Sequence, residues 1–110
     1  MYVEFHNVGE NITIEVFSDL TSITSSKVLN YKPFGAALPI LYRPRRTIEA
    51  VVYVKDNSVF KLGVLQIAPD GVLFLSTGYL NTGFSAPFAV SSSGGLVTDC
   101  SISYISILKN

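Results

Sequence analysis

The stretch Leu38–Ser76, LPILYRPRRTIEAVVYVKDNSVFKLGVLQIAPDGVLFLS, constrains this chain more than any other. A Pro-Arg elbow (Tyr42, Arg43, Pro44, Arg45, Arg46) opens into three runs of strand-forming residues. Thr47–Lys55 carries Ile48, Val51, Val52, Tyr53 and Val54, and β-branched and aromatic residues of this kind favour a pleated surface. Asp56-Asn57-Ser58 is composed as a hairpin turn, and Val59–Ile67 returns from it. Ala68-Pro69-Asp70-Gly71 reads as a four-residue loop before Val72–Ser76. That loop would place Ile67 opposite Val72, Gln66 opposite Leu73 and Leu65 opposite Phe74. One face would then hold Gly63, Leu65, Ile67, Val72, Phe74 and Ser76. The other would hold Phe60, Leu62, Val64, Gln66, Leu73 and Leu75. Antiparallel hairpins usually keep one wet face, yet both faces here are apolar, with Gln66 the exception. The second face therefore calls for a cover, and a short chain is expected to find it in another copy of itself.

The rest of the chain follows the same alternation. Tyr2–His6 reads as a short strand, Asn7–Asn11 as a turn, and Ile12–Phe17 as a strand with Ile12, Ile14 and Val16 inward and Thr13 and Glu15 outward. Asp19–Lys27, rich in Ser and Thr, reads as a crossing between sheets, and Val28–Tyr31 as a short strand. Pro33, Gly35 and Pro39 interrupt regular structure up to Tyr42. Arg43 precedes Pro44 and is forced toward an extended conformation. Gly78–Pro87 is a looser loop, Phe88-Ala89-Val90 an edge strand, and Ser91–Gly95 a flexible turn. Ser101–Leu108 sets Ile102, Tyr104 and Ser106 against Ser103, Ile105 and Ile107. No segment shows a helical period. Short strands separated by turn signals predict an all-β fold, an antiparallel β-barrel or sandwich with Greek-key-like connections, in a single domain over residues 1–110.

Bulk composition narrows the functional classes. Hydrophobic residues make up 48% and charged residues 15%, against about 25% charged in ordinary globular domains. Mean hydropathy is +0.40. No apolar run approaches the roughly 20 residues that span a bilayer as a helix, so the excess apolar surface is expected to meet protein, without membrane insertion. Eight basic residues balance eight acidic ones, which leaves no electrostatic footprint for nucleic acid. The cluster Arg43, Arg45 and Arg46 is too small to track phosphates. A single cysteine, Cys100, excludes an internal disulfide and reads as a small buried hydrophobe. Met1–Glu4 shows no signal-peptide pattern.

Catalytic chemistry finds little to work with. The only histidine is His6, and nothing around it suggests a nucleophile–base pair. Metal centres want clusters of His, Cys and carboxylate, and one His with one Cys predicts none. Gly94-Gly95 lacks the Lys-Ser/Thr of a phosphate loop. No pair of carboxylates stands out. An enzyme is not expected, nor is a cofactor. What remains is six tyrosines, seven phenylalanines and many loop amides and hydroxyls. These suit sugar recognition, and they suit an ordinary core equally well. The candidate contact residues are Gln66, a polar group among apolar neighbours; Tyr79 and Phe88, in the irregular segment after the central hairpin; and Arg45 of the elbow.

The order of these segments carries a resemblance. An opening hairpin is followed by KVLNYKPFGAALP, then YRPRRTIEAVVYV, then FKLGVLQIAPDGVLFLS. This is similar to the head domain of receptor-binding proteins from tailed phages of lactic-acid bacteria, the lactococcal phages in particular. The resemblance covers most of the chain through short, diffuse motifs. It implies an antiparallel β-barrel head, a homotrimer, attachment to a bacterial cell-wall saccharide, and a place at the phage tail tip or baseplate. It further implies neck and shoulder regions that join other tail or baseplate proteins and that this sequence lacks. The family's sugar pocket uses Trp, His, Asp and Arg around the central hairpin. This chain has no Trp and reads Val64 for the His, Gln66 for the Asp and Leu75 near the Trp, so no pocket residue carries over by identity. The resemblance thus implies a non-catalytic attachment head. The alternative is a structural tail or baseplate module that only joins proteins.

Overall fold

The structure is a computed structural model that describes residues 3–21, 29–31, 37–77, 84 and 94–108. The described residues form nine strands and one short 3-10 turn: β1 (Val3–Val8), β2 (Asn11–Val16), β3 (Asp19–Thr21), β4 (Leu29–Tyr31), the turn Ile40–Tyr42, β5 (Ile48–Asp56), β6 (Val59–Ile67), β7 (Leu73–Ser76), β8 (Gly94–Leu96) and β9 (Cys100–Ile105). All pairings are antiparallel. One sheet has the order β1-β2-β9, and the other has the order β3-β8-β5-β6-β7-β4. The expectation of an all-β antiparallel barrel or sandwich is met, with the larger sheet curled as a half-barrel.

Period-two alternation builds the core. In β2 Ile12, Ile14 and Val16 are buried, as the sequence predicts. Ile102 and Tyr104 of β9 join them opposite Ile14 and Ile12. The larger sheet contributes Val52 and Val54 from β5, Leu65 and Ile67 from β6, Leu73 and Leu75 from β7, and Leu96 from β8. Each fully buried side chain of this kind stabilises the fold by about 1.5–3 kcal/mol relative to exposure. Phe84, from the segment after β7, is 1% exposed and belongs to this core. It is a structural aromatic.

Two turns decide how the central strands face. Asn57 and Ser58 both have positive φ, 49° and 69°, and they join Asp56 to Val59 as a two-residue loop. Two left-handed residues in succession are the signature of the type I′ hairpin, whose twist matches that of the strands. The second turn departs from the four-residue expectation. The Gly71 N–H donates to the Ala68 carbonyl at 2.8 Å, and the Ala68 N–H donates to the Val72 carbonyl at 3.0 Å. Gly71 has φ +85°, and the Val72 N–H is held by Asp70 Oδ1 at 3.1 Å. The loop is therefore Pro69-Asp70-Gly71, a three-residue turn closed by a left-handed glycine. Register shifts by one: Ile67 pairs Leu73, Gln66 pairs Phe74 and Leu65 pairs Leu75. A one-residue slip moves every side chain of a strand to the other face. Leu73 and Leu75 thus lie in the core beside Leu65 and Ile67, while Phe74 shares the outer face with Gln66.

Other expectations also need correction. The stretch from Asn7 to Asn11 contains a tight turn only at Gly9-Glu10, because Asn7 and Val8 still pair with Ile12 and Asn11. Gly94 and Gly95 are strand residues, paired with Thr21 and Leu20 of β3, and Gly95 also faces Lys55 of β5. Small residues read as a turn by composition, yet β8 is buried along its length between two neighbours. Asp19–Thr21 adds a short strand inside the expected crossing. The proposed edge strand Phe88–Val90 lies outside the described residues.

The Pro-Arg elbow is a structural clasp. Arg43 is extended at φ −93°, ψ 142°, as its proline neighbour requires. Its Nε donates to the Leu38 carbonyl at 2.7 Å, and the Leu38 N–H donates to the Gly71 carbonyl at 3.1 Å. The Arg43 carbonyl accepts the Ile107 N–H at 2.8 Å. The Tyr104 hydroxyl donates to the Tyr42 carbonyl. Phe5 and Tyr42 pack with their rings tilted by 50° and centroids 4.2 Å apart, and the Tyr42 hydroxyl donates to Asn7 Oδ1 at 3.2 Å. One segment thereby ties the β6–β7 loop to the end of the smaller sheet.

Candidate functional site

Several large apolar side chains that the core does not use stand together on the outer face of β5 and β6. Counting back from the Asn57-Ser58 turn pairs Lys55 with Phe60, Tyr53 with Leu62, Val51 with Val64 and Glu49 with Gln66. Four of these large apolar residues are more than half exposed: Val51 at 56%, Tyr53 at 59%, Leu62 at 59% and Phe60 at 66%. Val64 shares the face but is buried, and it stands apart from the main core. Lys55 Nζ lies 5.4 Å from the centre of the Phe60 ring, a cation–π contact that shields one edge of the patch. Contiguous exposed apolar surface rimmed by polar groups marks an interaction face.

Gln66 sits at the far end of that face. Its amide Nε2 donates to Glu49 Oε1 at 3.1 Å. The pair offers a carboxylate and an amide side by side on neighbouring rigid strands, a donor and acceptor set suited to hydroxyl groups. The sequence singled out Gln66 but missed Glu49. The signal was the two-residue turn, which fixes Glu49 as its cross-strand partner. Arg45 is exposed in the bend before β5, and no hydrogen bond among the described residues links it to Gln66. Tyr79 and Phe88 lie outside the described residues. Of the three hairpin positions compared in the sequence, Val64 and Gln66 share the outer face. Leu75 is fully buried on the opposite face, because the register shift turned it inward, so it cannot line a pocket with them.

The buried polar groups support structure. Asp56 is 2% exposed, and Lys61 Nζ approaches its Oδ2 at 3.1 Å. Burial raises the Cys100 thiol above its ordinary value of 9.0. That fits the reading of a packing residue, because a reactive cysteine needs a lowered pKa. Burial likewise raises the Tyr104 phenol, whose hydroxyl is committed to the Tyr42 carbonyl.

No protein-family model matches the sequence, and no curated protein is significantly similar to it.

Proposed function

We propose that this chain is a non-enzymatic attachment head, the receptor-binding head of a tailed phage of lactic-acid bacteria, which works as a homotrimer at the tail tip and holds a saccharide of the host cell wall. The observation that carries the reading is the outer face of the β5–β6 hairpin, where Val51, Tyr53, Leu62 and Phe60 stand exposed on two paired nine-residue strands. Exposed apolar side chains on rigid strands suit a lasting protein contact, since ordering them on association costs little. The phage assignment rests on the segment order and the YRP and Asp-Gly elements described above. In this reading the apolar face is shared between copies, and the Glu49–Gln66 pair at its edge, with exposed Arg45, meets the sugar. Each head would bind weakly, and several heads on one particle would bind firmly through raised effective concentration.

Light scattering on the purified chain tests the assembly. A trimer is expected, and a clean monomer at micromolar concentration would sink the trimer claim. Binding to isolated host cell walls tests the ligand. Gln66→Ala is expected to weaken wall binding while the trimer persists, and unchanged binding would remove Gln66 from the site.

A second reading has its own support. The related pocket's aromatic and charged residues are aliphatic here at Val64 and Leu75, and the face left behind is better suited to protein than to sugar. A tail or baseplate module that only joins proteins would show this face. A well-folded trimer that binds no host wall and does not compete with phage adsorption would favour it.

A further inference from the structure

A second apolar patch stands at one end of the smaller sheet. Asn11 of β2 is the cross-strand partner of both Val8 of β1 and Ile105 of β9, so the three form one row across the sheet. Val3, Phe5, Ile14 and Val16 of the same strands pack toward the core. Alternate residues of a strand point to opposite sides, which puts the Val8–Asn11–Ile105 row on the outer side. Val8 is 80% exposed and Ile105 is 48% exposed. Leu108, three residues beyond Ile105, is 49% exposed. Its N–H donates to Ser106 Oγ at 3.1 Å, and the Ser106 N–H donates to the Glu10 carbonyl at 2.7 Å. Those two bonds hold Leu108 near the Gly9-Glu10 turn, so the exposed Glu10 borders the patch.

We infer, on the trimer reading above, that Val8, Ile105 and Leu108 form the counter-face that receives the β5–β6 face of the next copy, so that copies meet head to tail. A two-fold contact sets a patch against its own duplicate and closes at two subunits. A three-fold ring instead sets one patch against a different patch of its neighbour. A trimer that uses the β5–β6 face therefore needs a second, different surface. The Val8 row meets that need: it is apolar, it is exposed, and it lies on the other sheet. Charge points to the same pairing. Lys55 stands beside Phe60 next to the turn of the hairpin. Glu10 borders the counter-face, and Glu4 and Glu15 lie further along the same side of the smaller sheet. A basic end meeting an acidic rim fixes partner and register. Phe60 and Leu62 would pack on Val8 and Ile105, with Lys55 toward Glu10 of the next copy. The polar row His6–Thr13–Ser103 stays outside the contact.

Sedimentation of the whole chain over a concentration series tests the pairing. Val8 and Leu62 are exposed in the single chain, so Val8→Asp and Leu62→Asp leave the core intact, which circular dichroism checks. Each places a charge in a contact meant to be apolar, and each should raise the concentration of half-dissociation by about tenfold or more. Lys55→Glu and Glu10→Lys should each weaken the assembly, and the double swap should restore it. A trimer that Leu62→Asp dissociates but Val8→Asp leaves as stable as the wild type would overturn the counter-face and leave the shared β5–β6 face standing. A double swap no better than the weaker single variant would also overturn it. A wild type that stays monomeric would remove the trimer and the counter-face together.

Discussion

The two sheets bury the same kind of side chain and expose opposite kinds. Inward, β2 and β9 present Ile12, Ile14, Val16, Ile102 and Tyr104, while β5 to β7 present Val52, Val54, Leu65, Ile67, Leu73 and Leu75. Outward, the smaller sheet shows Glu4, His6, Thr13, Glu15, Ser101 and Ser103 along most of its length, with Val8 and Ile105 at one end. A hydroxyl pair, Thr13 and Ser103, bridges β2 and β9 at 3.1 Å. The larger sheet shows Val51, Tyr53, Leu62 and Phe60. Folding needs only one apolar face per sheet. The second apolar face of β5–β6 is therefore surplus to folding, and that surplus is the physical ground for assigning it to association.

If both sheets serve one core, truncating either inner face should cost alike. Ile14→Ala and Leu65→Ala remove fully buried side chains from opposite sheets, and each is expected to lose about 2–5 kcal/mol in urea unfolding. A loss confined to one of them would break the picture of a shared core. Gly63→Ala should cost somewhat less, about 1–3 kcal/mol. A Cβ there would stand 2.3 Å from the Ser76 carbonyl oxygen and 2.7 Å from a Val54 methyl. The backbone of the larger sheet must shift to accept it. The same measurement checks it, and a neutral result would mean that β7 does not approach β6 as closely as described.

The contrast also explains what could be read from the sequence. On the smaller sheet Ile12-Thr13-Ile14-Glu15-Val16 alternates apolar with polar, so strand and facing were both legible. On the larger sheet the positions of β4 to β7 were legible while β3 and β8 were not, and because β7 is apolar at both parities, pattern alone could not choose its face. Gly71 chose it, through a left-handed turn that shortens the expected four-residue loop to three. The candidate site was half legible. Gln66 stood out as a lone polar residue, while Glu49 became visible only through register.

A smaller effect separates the sheets by pH. Cys100 and Tyr104 both belong to β9, and burial raises the pKa of each in the folded state. Above the unfolded thiol's value of 9.0, the unfolded chain gives up its proton while the folded chain keeps it. The unfolded state then binds fewer protons, so stability falls as pH rises. The contribution is complete below about pH 9 and is lost as pH climbs through the raised folded values. Cys100→Ser should flatten part of the alkaline decline in a pH series of unfolding temperatures. An unchanged decline would place its origin elsewhere than Cys100.

The smallest expected effect is the sharpest test of the outer faces. Leu62→Thr on the larger sheet and Thr13→Val on the smaller one each alter an outward position and leave the core untouched. In dilute monomer both should change unfolding free energy by no more than about 0.5 kcal/mol, as exposed substitutions do. Thr suits a strand, so backbone preference does not bias the comparison. If the β5–β6 face is shared between copies, Leu62 is exposed only in the monomer. Leu62→Thr should then weaken association, and sedimentation over a concentration series should show the assembly dissociating earlier than the wild type. Thr13→Val should leave association as it was, since the polar face contributes nothing to it. Equal effects from the two substitutions would mean that the faces do not differ in role, and the surplus of apolar surface on β5 and β6 would need another occupant.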